Sequence, residues 1–346
     1  MKTLPTPRVS LQVLFLLAAC GAPGPSRAQE IPYRFESWEC VGCRWLKWNT
    51  HTHTTESDGD SSPETVARWY KEHGYDFLIL SDHNVLLDPS TLADLVDDSF
   101  LLIPGEEVTS SFGAKPVHVN GLNIQELVEP RRDSTLVATI QANVDAVREK
   151  DGIPHINHPN FGWAFGAVQL AQVENDRLLE IFNGHPEVHN LGGGGYPGME
   201  EIWDILLTGG KRIYGIAVDD AHHFQGEFSR DRANPGRGWV AVRAPVLDAQ
   251  AVVDALEEGR FYASTGVVLE DVQVSERRIG IRVRPRGSFR YTTTFIGSGG
   301  RVLRTVHGTE VTFDLDAPES YVRARVEDSG GAVAWIQPVW VLGTGS

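Results

Sequence analysis

From about residue 44 to residue 265, short apolar runs alternate with amphipathic stretches, and this rhythm constrains the fold more than any other feature of the chain. An apolar run of four to seven residues bounded by turn formers has the length of a buried strand, and longer stretches of period 3.6 are helical. Strands are expected at Trp45 to Asn49, Phe77 to Leu80, Phe100 to Ile103, Pro116 to Val119, Ile153 to Ile156, Leu178 to Phe182 and Arg212 to Val218. Between them, Ser61 or Ser62 caps a helix that has Pro63 in its first turn, with Glu64 in the box pattern, and ends at Gly74. Further helices are expected at Thr139 to Lys150, Met199 to Thr208 and Asp248 to Glu258, each closed by a glycine. Seven strands with helices between them predict an α/β fold, a closed and mainly parallel barrel over residues 45–265. After residue 266 the helical period disappears. Short alternating segments broken by Gly, Pro and Asp predict a small all-β, sandwich-like module over 266–346.

Residues 1–28 read as a secretory signal: Lys2 and Arg8 precede an apolar stretch, Val9 to Ala19, that is too short to span a membrane as a mature helix. Two processing sites compete. Leu17-Ala-Ala-Cys20 resembles a lipobox, which would attach the chain to a membrane through Cys20, whereas Ser26-Arg-Ala28 suits ordinary signal cleavage. Export to the periplasm or cell surface is expected in either case, followed by a linker over 29–44. In an oxidising compartment Cys40 and Cys43 are a structural bridge or two idle thiols, since neither a redox nor a zinc-knuckle context surrounds them. The net charge of −15 argues against nucleic acid as a partner, because phosphate backbones favour a basic face. A small anionic substrate is compatible with it, since metal ions supply local positive charge.

Ionisable residues gather where strands end. His51 and His53 follow the first strand, with Asp58 five residues on; Asp82 and His83 follow the second; Glu106 and Glu107 follow the third. His118 closes the fourth, His155 and His158 close the fifth, Glu180 lies in the sixth, and Asp219, Asp220, His222 and His223 follow the seventh. In a β/α barrel these ends converge on one mouth. Carboxylates and imidazoles crowded there would repel or lack partners, and divalent cations resolve both difficulties. A nitrogen and oxygen set without thiolate suits Zn²⁺, Mn²⁺ or Fe²⁺. His73, His189 and His307 lie off the pattern and read as surface or packing residues.

The stretches HTHTTESDG, LSDHN, PGEEVT, the later His118, HPN and DDAH resemble the successive motifs of the PHP (polymerase and histidinol phosphatase) metallohydrolases over roughly residues 48–224. WDILLTGGKRIYGIAVDDAHHF, ALEEGRFYASTG and the terminal AWIQP are similar to the CehA/McbA branch. The resemblance implies a distorted barrel of seven β/α units holding two to three divalent ions. It implies one ion on His51, His53, Glu107 and Asp220, a second on Glu107, His118 and His158, and a third on Asp58, His83 and His222. Glu106 and Asp219 are the alternatives to Glu107 and Asp220, and family spacing favours the latter of each pair.

The expected chemistry is hydrolysis of a small-molecule ester by water activated at a di- or trinuclear site. Phosphoesters, mono- or diester, come first, a carbamate, carboxylic ester or amide second, and a non-catalytic metal-holding surface module third. Asp82 is expected to orient a ligand histidine or to cap its turn. Glu180, Asn183 and His185, in EIFNGH, face the substrate or pack the rim. Of Arg230, Arg232 and Arg237, one pairs with an anionic substrate group or all three are exposed, with Arg237 the candidate.

Overall fold

The computed structural model describes residues 33–36, 38 and 40–343. The expected leader and Cys20 lie outside the described residues. Cys40 and Cys43 are joined by a disulfide. Among the described residues no helix is long and apolar enough to cross a membrane.

In chain order the strands are β1 (Tyr33–Phe35), β2 (Arg44–Asn49), β3 (Phe77–Leu78), β4 (Leu101–Leu102), β5 (Gly105–Phe112), β6 (Lys115–Leu122), β7 (Ile153–Ile156), β8 (Leu178–Asn183) and β9 (Tyr214–Val218). They continue as β10 (Trp239–Ala244), β11 (Phe261–Ser264), β12 (Leu269–Ser275), β13 (Arg278–Val283), β14 (Tyr291–Gly297), β15 (Arg301–His307), β16 (Glu310–Asp314), β17 (Tyr321–Asp328) and β18 (Val333–Gly343). The helices are α1 (Pro63–Glu72), α2 (Leu136–Arg148), α3 (Ala167–Leu170), α4 (Met199–Thr208) and α5 (Ala249–Glu257).

Local chemistry explains the helices. Ser62 rather than Ser61 caps α1, accepting from the Thr65 amide, and Val66, Ala67 and Tyr70 form the buried stripe. Asp248 caps α5 by accepting from Ala251. Helix α2 starts three residues before the expected Thr139 because Thr135 accepts from the Ala138 amide and sets the first turn earlier. On the sheet side, all four residues of β7 are buried, as a strand covered on both faces requires.

No closed barrel exists among the described residues. Strands β5, β6, β7, β8 and β9 form one sheet, parallel only from β7 to β9. A larger sheet runs β15-β14-β17-β18-β11-β10-β2-β3-β4, with β1 beside β18, and β12-β13-β16 form a third. Two strands that the apolar pattern did not register break the parallel plan. Strand β5 makes an antiparallel hairpin with β6 across Gly113 and Ala114, and β10 lies antiparallel on β2. The two larger sheets meet through isolated parallel bridges, Thr52 with Ala221 and His83 with Glu107, at the strand ends that carry the ionisable residues.

Candidate metal centre

Beyond β2 the chain stays extended, held by Ser81 N–H donating to Thr52 O (2.9 Å) and His53 N–H to Ala221 O (2.9 Å). His51 and His53 therefore point the same way. Glu106 and Glu107 follow β4, as expected, but lie inside the next strand, β5, so alternation sends them to opposite faces. Glu107 enters the histidine cluster. Glu106 turns away to accept from the Val128 amide (2.6 Å), and burial pushes its carboxyl up to about 7. His118, within β6, pairs with Thr109, two residues from Glu107, and shares its face.

All nine expected ligands converge. His51 Nε2 and His53 Nε2 each lie 3.2 Å from Asp220 Oδ1 and 3.3 Å from Glu107 Oε2. The other Glu107 oxygen is 2.8 Å from His118 Nδ1 and 3.4 Å from His158 Nε2. The two oxygens thus face two donor groups, as a bridging carboxylate must. Asp58, half exposed, lies 3.3 Å from His222 Nε2 and 3.5 Å from His83 Nε2. His83 also reaches Glu107 through Nδ1 (2.9 Å), so it stands between two donor groups. Asp219 is directed elsewhere: it accepts from Tyr70 Oη and the amides of Gly236, Arg237 and Gly238, pinning the loop before β10.

Electrostatics test whether cations fit. Burial opposes the His51 charge, but Asp220, Glu107 and Glu180 outweigh it and raise its pKa well above the ordinary range. Burial, with His222 beside it, pushes His53 down to about 4. Burial would raise Glu107, yet His51, His118 and His83 hold it well below the carboxylate range. Neighbouring imidazoles thus face opposite demands. His51 Nε2, His53 Nε2, Glu107 Oε2 and His118 Nδ1 are buried without a hydrogen-bond partner. Each such atom costs about 1–3 kcal/mol when left unsatisfied. Divalent ions coordinated by these atoms remove that cost, and the thiolate-free donor set suits Zn²⁺, Mn²⁺ or Fe²⁺. Overlapping donor groups are His53, Asp58, His83 and His222; His51, His158 and Asp220; His51, His53 and Glu107; and His83, Glu107 and His118.

The remaining expected site residues separate. Glu180 does not face substrate: it is 1% exposed beneath the cluster. Its Oε1 accepts from His51 Nδ1 (2.7 Å) and His155 Nε2 (3.0 Å), and its Oε2 from the His158 amide (2.7 Å) and Asn183 Nδ2 (2.9 Å). Holding the proton of His51 on Nδ1 leaves Nε2 free to coordinate. Asn183 is buried; its Nδ2 donates to Glu180 and Asp220 and its Oδ1 accepts from the His185 amide. Asp82 reaches a histidine through Ser57, whose Oγ lies 3.4 Å from His53 Nδ1. Its oxygens accept from Thr54 N–H (2.8 Å), Thr54 Oγ1 (2.8 Å) and Ser57 Oγ (2.6 Å), shaping the turn that presents Asp58. His185 lines the cavity. Its Nδ1 accepts from the Glu187 amide (3.2 Å), so the neutral ring carries its proton on Nε2. Arg237 gives its guanidinium to the carbonyls of Gly184 (2.8 Å) and Ser229.

Three contributors escaped sequence reasoning. Asn157 Nδ2 donates to Glu107 Oε1 (2.8 Å), Thr109 Oγ1 lies 2.6 Å from His83 Nδ1, and Phe161 packs over His118 and His158. Their signal was proximity: each lies within three residues of a ligand-bearing motif. The off-pattern histidines do pack elsewhere, His73 on Trp69 and His189 on Trp163, while His307 meets Thr292 at the surface. The cavity over the cluster is about 160 Å³, walled by Phe161, His185 and Glu187 besides the ligands.

No family model matches the chain. It is 32% identical over 203 residues to the 5'-3' exoribonuclease Rnm of Salmonella typhimurium, covering 55% of this chain and 66% of the relative. Identity to Rnm of Escherichia coli is 28% over 207 residues, with the same coverage. The chain thus spans just under two thirds of each relative's length. In structure it is similar to a two-domain protein from Bacteroides vulgatus containing a predicted PHP-like metal-dependent phosphoesterase. The TM-score is 0.51 at 16% identity, over 88% of this chain and 98% of that one. The chain therefore shares a mixed α/β fold with that two-domain protein, and the two relatives named above are described as exoribonucleases.

Proposed function

We propose that the chain is a metal-dependent hydrolase of the PHP type, acting on phosphoesters at a site of two or three divalent ions. The observation that carries this reading is the set of four buried donor atoms without hydrogen-bond partners, supplied by the segment after β2 (His51, His53), by β5 (Glu107) and by β6 (His118) and gathered around the Glu107 carboxylate. When bound, such ions supply water activation at neutral pH and charge neutralisation at the phosphoryl oxygens. The chain's own residues do the rest. Glu180 fixes the tautomer of His51, Asn157 orients Glu107, and Asp82 shapes the turn that presents Asp58. His185 holds a proton on Nε2 for an ester oxygen in the cavity, and Phe161 excludes water from one side.

The exoribonuclease relatives weigh against excluding nucleic acid on net charge alone, so a short RNA belongs among the test substrates. Resemblance of residues 203–224 and 255–266 to the CehA/McbA branch supports carbamate or ester cleavage as the second reading. We also propose export, supported by the leader-like segment and by the Cys40–Cys43 disulfide.

The test is elemental analysis of protein purified without chelator, with parallel assays on p-nitrophenyl phosphate, its bis-ester, an RNA oligonucleotide and an aryl N-methylcarbamate. His53→Ala serves as control. More than one metal per chain, with phosphoester turnover lost in the control, supports the proposal. Preference for the carbamate moves the chain to the second reading, and metal without turnover to a non-catalytic binding module. Absence of metal after reconstitution refutes the proposal.

A further inference from the structure

His185 borders two cavities. One is the 160 Å³ space over the donor cluster, and the other is an open cavity of about 820 Å³ beyond it. Their linings differ in sign. Asp58, Glu107, Glu187 and Asp220 line the first. No carboxylate lines the second, where the charged side chains are Arg230 and Arg237, in a chain of net charge −15.

The two arginines are set differently. Arg237 donates to the carbonyls of Gly184 and Ser229, which fix its guanidinium in the wall, with the charge of the buried Asp219 acting on it from behind the lining. Arg230 is exposed, in a loop that ends at the segment pinned by Asp219. Phe228, 48% exposed, adds an apolar wall. The far side is built by Thr265 and by Gly330 to Ala332 in the turn between β17 and β18, so the C-terminal strands shape this cavity.

Both linings include His185, so an ester held at the donor cluster would have the larger space on the far side of that ring. We propose that this second cavity is a leaving-group subsite, selecting phosphoesters whose leaving group carries a further anionic group, with Arg230 as its mobile cation and Arg237 as its fixed one. The proposal rests on the phosphoester reading above. Phe228 would contact the scaffold joining the two anionic groups, and His185 would lie between them.

The test compares phenyl phosphate with 4-carboxyphenyl phosphate, by release of inorganic phosphate from the Mn²⁺-loaded full chain. In parallel, calorimetric titrations with phenylphosphonate and 4-carboxyphenylphosphonate measure binding free of leaving-group acidity. The carboxylated member of each pair is expected to be preferred roughly threefold to tenfold, the range of a partly exposed charge-assisted contact. Arg230→Glu should bring both preferences to about one or below. Arg304→Glu, an exposed change on β15 away from the cavity, should keep the wild-type ratios. Binding ratios at or below one in the wild type, or a preference that survives Arg230→Glu, overturn the subsite. Turnover without preference refutes the subsite and leaves the phosphoester reading intact. Preferential binding without turnover of either ester supports the subsite and refutes that reading.

Discussion

Replacing Glu180 by glutamine tests whether this buried carboxylate sets the metal affinity of the cluster. Each Glu180 oxygen accepts two hydrogen bonds, Oε1 from His51 and His155, Oε2 from the His158 amide and Asn183. Glutamine keeps one oxygen and replaces the other with a donor. With its NH₂ at the Oε2 position, it opposes the His158 amide and the Asn183 NH₂, leaving donors unsatisfied in a site with 1% exposure. With its NH₂ at the Oε1 position, His51 must accept at Nδ1 and move its proton to Nε2, the atom that faces Asp220 and Glu107. A protonated Nε2 cannot coordinate. The expected loss is about 10- to 100-fold in metal affinity, or about 1.4–2.7 kcal/mol. Competition with a metallochromic chelator, using Zn²⁺ and Mn²⁺, measures it. Thermal denaturation with and without metal separates positioning from packing, because a tenfold weaker site removes about 1.4 kcal/mol of metal-induced stabilisation at saturation. Unchanged affinity, with apo and metal-loaded proteins destabilised equally, would refute the reasoning.

Extracting metal with a strong chelator should lower the melting temperature and abolish hydrolysis, both recovering on adding Zn²⁺ or Mn²⁺, because the four buried unpartnered donor atoms lose their cations. Asp82→Ala should release the Thr54–Ser57 turn and lower metal stoichiometry at the Asp58 position, by elemental analysis, while leaving metal bound at His51 and Glu107. Arg323→Ala should destabilise the apo protein by about 3–5 kcal/mol in urea titration, since it strands Asp204 at a buried pair whose contacts are 2.6 and 2.7 Å. That substitution should not change metal affinity, because the pair joins α4 to β17 away from the donor cluster.

Local signals in the sequence were sufficient where local physics decides the outcome. Helix α4 has the bounds its period and closing glycine predict, and β7 is an apolar run with the predicted limits. Strand β5 was missed because Glu106 and Glu107 interrupt its apolar pattern. Both charges are tolerated in a strand only through partners distant in sequence, Val128 for one and the histidines for the other. The antiparallel pairing of β10 on β2, which spoils barrel closure, likewise joins segments some two hundred residues apart and leaves no local period. The same division holds in the site. The residue types that converge and their order along the chain were visible, but what Asp82, Glu180 and Asn183 contact depends on which way a buried side chain points. Net charge alone does not decide the partner, for a related reason. A total of −15 averages over the whole surface, whereas at physiological salt a charge acts within about 8 Å. Beside His185 the nearest side-chain charges change from carboxylates to Arg230 and Arg237 across one imidazole ring. In the subsite proposed above, the anion accepted is decided by those two linings rather than by overall acidity.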